Sequence, residues 1–370
     1  MRFRCERDVL AEAISTVARA TSARSGTSTT LSGILLEVQG DNLHLAGTDL
    51  DLTIQTNVAV AGSRDGSCVV KARLAADIVR SMPPGAISIE GDEDDIAIRS
   101  GRSNFSVRTY PAPDFPRLAP PGDAKLSLTG AGLASALTQV VKAASSDDNR
   151  PMLTGVLMAS ENDGLRLVAT DSYRLALRDL PGLRVLSEGQ KVVVPAKGLS
   201  ELQRMLNSAG GDDKAVDLYL GNIDATFEVG PTRLTTRLIT GDFPNYQQLM
   251  PPSYPNRAVL PKAELVEAVK RMKLLVEDLN TPVRMAFRPD GVELNVITPD
   301  LGHAEEELDA TYEGEPDVKV AFNPAYLIDG IEAVGTEEVI LETVDATKPA
   351  MIRPTKGDDF RYLLMPVRVA

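Results

Sequence analysis

Apolar residues follow two different periods along the chain. In the window 7–20, Leu10, Ile14 and Val17 are spaced three to four residues apart, and the window 262–275 repeats that spacing. This period places apolar side chains on one face of an amphipathic helix. In segments such as 165–169 and 215–220, apolar and polar residues alternate between turn residues, which is typical of half-buried strands. The pattern predicts an α+β fold in which helices pack on antiparallel sheets.

The same series of features occurs three times, with a period of about one third of the chain. Thr48-Asp49 and Thr170-Asp171 each follow an apolar run, and Thr298 marks a fainter third copy. Each copy has two helix-like windows, whose matching leucines are Leu10, Leu133 and Leu265 in the first window and Leu74, Leu199 and Leu327 in the second. We therefore predict three homologous domains, each with two helices packed on antiparallel sheets, over residues 1–120, 121–253 and 254–370.

Charge is distributed unevenly along the chain. The formal net charge of −13 over 370 residues disfavours nucleic-acid binding, because proteins that bind phosphates usually display a basic surface. Twelve Lys and Arg against eight Asp and Glu, however, lie in the six helical windows 7–20, 71–82, 131–143, 197–206, 262–275 and 324–333. The helices are thus the basic part of an acidic protein, although Lys and Arg are also simply good helix formers.

The sequence lacks the signature motifs of several classes of enzyme and binding site. The two histidines, His44 and His303, lie in different repeats, and no G-x-x-x-x-G-K-[ST], G-x-G-x-x-G or G-x-S-x-G motif occurs. The acidic run at 91–95 is interpreted as a hairpin turn, and Cys5 and Cys68 as buried free thiols. We expect no catalytic residue, metal site or cofactor. The missing motifs predict that the protein is not an enzyme. No apolar stretch approaches membrane-spanning length, so we expect a cytoplasmic protein.

Four segments carry a specific resemblance: "RSGRSNFSVRTYPAPDFP" (99–116), "ATDSYRLAL" (169–177), "GDFPNY" (241–246) and "RYLLMPVRV" (361–369). In this order, within three tandem repeats, the chain resembles the bacterial DNA polymerase III beta subunit family, the sliding clamps, over essentially its whole length. The resemblance implies that two three-domain protomers close head to tail into a pseudo-sixfold ring. Its helices would face double-stranded DNA through phosphate contacts that carry no sequence information. The implied partners are the replicative DNA polymerase, an ATP-driven clamp loader complex and other clamp-binding-motif proteins, and no membrane.

The resemblance also assigns residues to three surfaces. A cleft between the second and third domains, which would bind the partners' short motif, comprises Leu153, Thr170, Ser172, Tyr173, Arg174, Leu175, Pro244, Gln248, Leu249, Pro349, Leu363, Met365, Pro366, Val367 and Arg368. The DNA-facing set comprises Arg24, Arg73, Arg80, Lys142, Asn149, Arg150, Lys197, Arg204, Lys270 and Lys273. The interface between the protomers of the homodimer comprises Ile78, Met82, Arg102, Phe105, Val107, Leu274 and Leu275. The competing interpretations are plain solvent exposure for the second set and burial in the core for the third.

The residue types of the cleft suit apolar peptide side chains. Leucines, methionines and prolines form an adaptable pocket for Leu and Phe, and we expect Arg174 and Arg368 to supply a polar rim. Asp171 resembles an active-site residue, but Asp49 recurs at the same place in the first repeat. We therefore interpret Asp171 as a turn residue that hydrogen-bonds the local backbone.

Three alternatives to a replicative sliding clamp stay open. One is a metal-dependent hydrolase that uses Asp49 and Asp171. Another is a monomeric peptide-binding adaptor that has kept the cleft but not the ring. The third is a specialised second copy of the clamp, for instance one with altered inhibitor sensitivity.

Overall fold

The structure is a computed structural model, and it describes residues 1–22, 30–92, 94–118, 120, 125–208, 215–276, 281–316 and 318–368. Two compact units are present. Unit 1 consists of Met1–Ala131 and Ser200–Leu238, and unit 2 consists of Gly132–Leu199 and Ile239–Ala370. Both units therefore include part of the middle third of the chain.

The described residues form six α-helices and 26 strands. The helices are α1 Arg7–Ala18, α2 Ala72–Ser81, α3 Gly130–Val140, α4 Ala196–Ser208, α5 Lys262–Met272 and α6 Pro324–Ala333. The first thirteen strands are β1 Arg2–Glu6, β2 Gly33–Gln39, β3 Asn42–Thr48, β4 Leu52–Ala59, β5 Ala61–Arg64, β6 Gly66–Lys71, β7 Ala86–Gly91, β8 Asp95–Ser100, β9 Ser103–Tyr110, β10 Lys125–Thr129, β11 Gly155–Glu161, β12 Gly164–Thr170 and β13 Arg174–Pro181. The remaining strands are β14 Lys191–Pro195, β15 Ala215–Leu220, β16 Asp224–Val229, β17 Thr232–Arg237, β18 Asn256–Pro261, β19 Val283–Arg288, β20 Gly291–Thr298, β21 Gly302–Asp309, β22 Thr311–Glu313, β23 Val318–Phe322, β24 Glu338–Thr343, β25 Ala350–Pro354 and β26 Phe360–Leu364.

Unit 1 is built on one thirteen-stranded sheet with the order β10-β15-β16-β17-β4-β3-β2-β6-β9-β8-β7-β1-β5. Strands β4 and β17 pair antiparallel with Ile54 opposite Leu234, so strands distant in sequence share one sheet. Alternate residues of β4 point inward, where Leu52 and Ile54 are buried. Helices α1 and α2 pack on each other, and α1 also packs on β3 and β4.

Unit 2 contains a nine-stranded sheet with the order β14-β11-β12-β13-β26-β25-β24-β18-β22 and a four-stranded sheet with the order β21-β20-β19-β23. Strand β13 pairs antiparallel with β26, and Leu175 lies opposite Leu363. Helix α5 packs on α6 and on the strands β20 and β21. A strand from the middle of the chain is therefore bonded to the last strand, and this pairing creates the surroundings of the candidate site.

Several local predictions are confirmed. The apolar faces predicted for α1 and α5 are buried, and five of the six matching leucines are buried, whereas Leu74 is 45% exposed. The acidic run at 91–95 links the antiparallel strands β7 and β8, and Asp92 Oδ1 accepts hydrogen bonds from the backbone of Asp94 (3.1 Å) and Asp95 (3.4 Å). These bonds lower the pKa of Asp92.

Cys5 and Cys68 are buried free thiols, as predicted. Burial raises the pKa of both thiols, that of Cys68 to about 12. Within the described part of the chain, no helix combines the length and the apolar character needed to cross a bilayer.

Candidate functional site

Side-chain hydrogen bonds build the turn between β12 and β13. Asp171 Oδ1 accepts from the backbone N–H groups of Tyr173 (2.9 Å) and Arg174 (3.0 Å). Thr170 Oγ1 donates to the carbonyl of Arg174 (2.6 Å) and accepts from the N–H of Ser172 (3.1 Å). Ser172 has φ 81°, a left-handed conformation that is uncommon outside glycine. These bonds confirm the interpretation of Asp171 as a turn residue.

Arg174 is fixed by charged, aromatic and backbone partners. Its guanidinium donates to Asp171 Oδ2 (Nε, 3.0 Å), to Asp329 Oδ2 (Nη1, 2.5 Å) and to the carbonyl of Lys142. The guanidinium carbon lies 4.4 Å from the centre of the Tyr326 ring, a cation–π contact. Burial by itself lowers the pKa of Arg174, but the Tyr362 hydroxyl and the two aspartates raise it overall. The side chain of Arg174 is 10% exposed. It joins the turn to Asp329 and to the carbonyl of Lys142, and it does not supply the polar rim that we expected of it.

The start of α6 presents two of these partners. Asn323 caps the helix, because its Oδ1 accepts from the N–H groups of Ala325 (2.9 Å) and Tyr326 (3.2 Å). Tyr326 and Asp329 are three residues apart and therefore share a helix face. The Tyr326 ring also stacks on Tyr173, with ring centres 6.4 Å apart. The face of α6 that carries Tyr326 and Asp329 thus positions both Tyr173 and Arg174.

The C-terminal segment forms the next part of the site. Beyond the pairing of β13 with β26, the N–H of Met365 donates to the carbonyl of Tyr173 (2.9 Å). Two residues later, the N–H of Val367 donates to the carbonyl of Ala321 in β23 (2.8 Å). These two bonds stretch the segment 365–368 between the turn and the four-stranded sheet.

An apolar cluster lies beneath the turn and the C-terminal strand. Its buried members are Leu157, Ala159, Val168, Leu175, Leu177, Val193, Tyr246, Met351 and Leu363, and the partly buried side chains packed against it are Met152, Ile239, Phe243, Met250 and Tyr254. Burial raises the pKa of Tyr246 and of Tyr254. Three exposed apolar side chains border this region, namely Tyr173 (59%), Leu249 (48%) and Met365 (38%). Leucine, methionine and aromatic groups thus form a floor with an open edge, which suits an apolar peptide side chain.

The structure places the predicted cleft residues at different depths. The turn brings together Thr170, Ser172, Tyr173, Arg174 and Leu175, and strand pairing adds Leu363 and Met365. Leu153 (7%), Thr170 (4%), Leu175 (2%) and Leu363 (3%) are buried supports. Pro349, Pro366 and Val367 are half-buried, whereas Ser172, Pro244, Gln248 and Arg368 are exposed. The exposed members are the ones whose side chains remain available to a ligand.

Sequence reasoning missed Tyr326 and Asp329. The available signal was an aromatic and an acidic residue three positions apart in the otherwise apolar window "PAYLIDGIEA". It also missed Met351, which lies opposite Leu363 on the neighbouring strand β25. Only the tertiary pairing shows that these residues belong to the site.

Nine of the ten DNA-facing candidates are described and are exposed; Arg24 lies outside the described residues. Several already have carboxylate partners. Lys142 Nζ is 3.5 Å from Asp329 Oδ1, Arg150 Nε is 2.9 Å from Asp147 Oδ2, and Arg204 Nη1 is 2.5 Å from Glu201 Oε1. Lys270 Nζ is 3.2 Å from Glu267 Oε1. Ion pairs near the surface are weak, so Lys142, Arg150 and Lys270 remain able to exchange partners, whereas Glu201, the partner of Arg204, is buried.

The predicted interface residues divide into two groups. Ile78 (8%), Met82 (3%) and Val107 (5%) are buried in the core of unit 1, so the prediction of a contact surface is wrong for these three side chains. The apolar character that suggested an interface is explained by their own core. Phe105 (42%) and Leu274 (81%) are exposed, as is Arg102, and Leu275 is half-buried.

Comparison with known proteins shows the family. Family models of the DNA polymerase III beta subunit match residues 1–119 as its N-terminal domain, 127–245 as its central domain and 247–368 as its C-terminal domain. The chain belongs to the DNA polymerase III beta subunit family. A beta sliding clamp of Streptomyces coelicolor is 36% identical over 385 residues, with 100% of each chain covered.

Solved structures agree with this assignment. A sliding clamp of Bartonella birtlesii bound to griselimycin has a TM-score of 0.91 at 31% identity, and one from Bacillus subtilis has a TM-score of 0.90 at 28% identity; both alignments cover 100% of each chain. The predicted α+β fold of three clamp domains and the predicted function as a sliding clamp in DNA replication are therefore confirmed. Sliding clamps of this family act as processivity factors and not as catalysts.

Proposed function

We propose that two copies of this chain close head to tail into a pseudo-sixfold ring around double-stranded DNA. The ring would tether the replicative polymerase, the clamp loader complex and other motif-bearing proteins through the cleft around the Thr170–Arg174 turn. The observation that carries the proposal is the cleft itself, in which the turn and Met365 are joined by a main-chain hydrogen bond over an apolar floor. In this proposal the three clamp domains are residues 1–120, 121–253 and 254–370.

Partner binding would use the exposed edge of the cleft. Tyr173, Leu249 and Met365 offer apolar surface to Leu and Phe side chains of a short motif, and Arg368 supplies the charged rim. Because Arg174 is already bonded on several sides, it acts as a positioning residue that holds the turn in its binding conformation. A pocket that exists before binding costs less entropy on association.

Weak contacts to DNA would suit a ring that slides. The exposed cations of the DNA-facing set can exchange an intramolecular carboxylate for a phosphate at little free-energy difference. Retention on DNA would then come from topology and not from affinity, and the acidic remainder of the chain would discourage binding outside the ring. Dimer closure would use the exposed Phe105 of unit 1 and Leu274 of unit 2.

The test compares how well the protein is retained on circular and on linear DNA. The protein is loaded onto nicked circular plasmid with a bacterial clamp loader and ATP, and bound protein is isolated by gel filtration. The plasmid in the isolated complex is then cut once, and the sample is passed through gel filtration again. We expect protein to elute with the circle and to be lost from the linear form, because only a topological link depends on the absence of DNA ends.

Other outcomes separate the alternatives. Retention on both forms would mean ordinary affinity and would contradict the ring. Retention on neither form, with a loader shown to be active on another clamp, would favour the monomeric adaptor. Replacing Leu274 and Leu275 together by alanine should abolish retention and the dimer in gel filtration, whereas an adaptor would be unchanged by it.

A further inference from the structure

A second concave surface lies beside the C-terminal segment, on the open face of the four-stranded sheet. It is a groove of about 730 Å³ whose lining includes Arg284, Asn295, Ile297, Lys319, Val367 and Arg368. The strand register explains this set. Arg284 lies opposite Asn295 on β20 and opposite Ala321 on β23, so these side chains share one face. The alternate residues Leu294 and Val320 are buried on the opposite face. We call this surface the β19–β20 groove.

The groove is continuous with the proposed peptide cleft. Val367 and Arg368 belong to the predicted cleft and also line the groove. The bond from the N–H of Val367 to the carbonyl of Ala321 places the C-terminal segment beside β23, while Met365 is bonded to Tyr173. A peptide that leaves the cleft along the segment 365–368 therefore enters the β19–β20 groove.

The charge of the groove is positive, in contrast to the net charge of −13 of the whole chain. Arg284, Lys319 and Arg368 are exposed, and within the described residues none of the three makes a salt bridge with a carboxylate. Carboxylates on the same face have partners: Glu293 is bonded to Arg288, and Glu305 accepts from Asn295. Three cations that have no carboxylate partner among the described residues thus surround the groove, where a carboxylate would form charge-assisted hydrogen bonds.

The floor of the groove favours a peptide over a free anion. Ile297 is 51% exposed and, together with Ala286 and Val367, offers apolar surface. Asn295 donates its Nδ2 to Glu305 (2.9 Å). An inorganic anion would gain nothing from the apolar surface, whereas the side chains of a peptide would bury part of it.

We propose that the β19–β20 groove binds an acidic segment that flanks the apolar motif of a partner peptide. This inference rests on the proposed function, since the motif itself would occupy the cleft. The groove would select among motif-bearing partners by the charge of their flanking residues. Arg284 and Lys319 would then determine specificity without contacting the motif.

Two synthetic fluorescein-labelled peptides test the proposal. Both contain the same apolar segment of Leu and Phe, flanked on each side by two Glu in one peptide and by two Gln in the other. Binding is measured by fluorescence anisotropy at low and at high salt. At low salt we expect the Glu peptide to bind about two- to fivefold more tightly for each cation that it engages, and high salt should remove this advantage.

Variants test which side chains cause the preference for the Glu peptide. The double variant Arg284→Gln with Lys319→Gln should lose most of the preference for the Glu peptide, because only Arg368 of the three groove cations remains, and its affinity for the Gln peptide should be unchanged. Arg184→Gln is the matched control, because it removes an exposed cation of unit 2 (71% exposed) outside the groove, and it should keep the preference for Glu. Both changed side chains of the double variant are exposed, and circular dichroism verifies that the variants are folded.

The outcomes distinguish the two proposals. If the unaltered protein binds both peptides equally, the groove is not an acidic-segment site, while the proposed cleft stands. If it binds neither peptide, the cleft proposal itself is wrong. If a single-stranded oligonucleotide binds, the double variant loses it, and the two peptides bind alike, the groove is a phosphate site and the inference is overturned.

Discussion

Two turns of the molecule share one backbone design. They are Thr48–Leu52 in unit 1, the first turn, and Thr170–Arg174 in unit 2, the second turn. In the first turn Asp49 Oδ1 accepts from the N–H groups two and three residues further on, at 3.1 and 2.8 Å; Asp171 does the same in the second turn, at 2.9 and 3.0 Å. The middle residues have nearly the same left-handed conformation, with φ values of 80° and 81°.

The two turns differ in what surrounds them. The last residue of the first turn, Leu52, is an apolar side chain buried in the sheet of unit 1 (2% exposed). The last residue of the second turn, Arg174, is charged and donates hydrogen bonds to Asp171 and Asp329. At the middle position, the first turn has Leu50, an apolar side chain that is 57% exposed. The second turn has Ser172, whose Oγ accepts a hydrogen bond from Arg150 (3.2 Å). The turn is therefore a scaffold used in both units, and the side chains placed on it determine whether a binding site forms.

The comparison also weighs against hydrolysis by Asp49 and Asp171. Both carboxylates hold the backbone of their turns, and Asp171 is 7% exposed. In Asp171 one oxygen is engaged with two N–H groups and the other with a guanidinium, which leaves little capacity for a metal or a water nucleophile. The shared role explains why the aspartate recurs.

The largest difference between the turns should appear when Arg174 is replaced. We expect Arg174→Ala to lower the free energy of unfolding by about 3–5 kcal/mol, because Asp171 and Asp329 lose the cation that compensates their charge. Peptide binding at the cleft should be lost as well, since the turn would no longer be fixed to α6. Urea denaturation and fluorescence anisotropy measure the two effects.

The equivalent change in the first turn is the control. Leu52→Ala should destabilise the protein by about 2–5 kcal/mol through a cavity, yet it should leave peptide affinity unchanged. Arg174→Lys keeps the charge but lacks the planar fork, so its effect should be intermediate. Retained binding in Arg174→Ala would show that the network around Arg174 is only structural.

A smaller difference should separate the two aspartates. Asp49→Ala should cost about 1 kcal/mol, comparable with the loss of a helix cap, and Asp49→Asn should restore most of it because the amide oxygen still accepts. Asp171→Ala should cost roughly 1–3 kcal/mol, since an ion pair is lost too. Asp171→Asn should recover the turn but not the bond to Arg174, and should lower peptide affinity. Equal stability profiles for the two pairs of variants would contradict the comparison.

Local features of the fold could be predicted from the sequence. The apolar faces of α1 and α5, the hairpin at 91–95 and both turns depend on residues close together in the chain. The pairing of β4 with β17 could not be predicted, because alternation identifies a strand but not its neighbour. For the same reason the sequence did not show that unit 1 includes part of the middle third of the chain.

The candidate site was predicted unevenly for a related physical reason. The turn and the C-terminal strand carry specific sequence motifs, but Asp329 joins the site only through the tertiary contact of α6 with Arg174. Hydrophobicity alone also cannot separate a core position from a contact surface, as Ile78 and Met82 demonstrate by their burial. Arg174 does not lie at the rim, because two aspartates and an aromatic ring make its burial favourable, and these partners come from separate parts of the chain.

The smallest expected effect concerns the left-handed residue at the middle of each turn. Leu50 adopts φ 80°, which costs a residue with a Cβ atom about 1 kcal/mol relative to glycine, and its exposed side chain contributes little packing. Leu50→Gly should therefore be more stable than Leu50→Ala by up to about 1 kcal/mol in urea denaturation, because only glycine relieves the backbone. Ser172→Gly should gain less, since it also removes the acceptor of the Arg150 hydrogen bond. A glycine variant less stable than its alanine counterpart in the first turn would show that this conformation is not strained, and that the two turns share their hydrogen bonds but not a backbone cost.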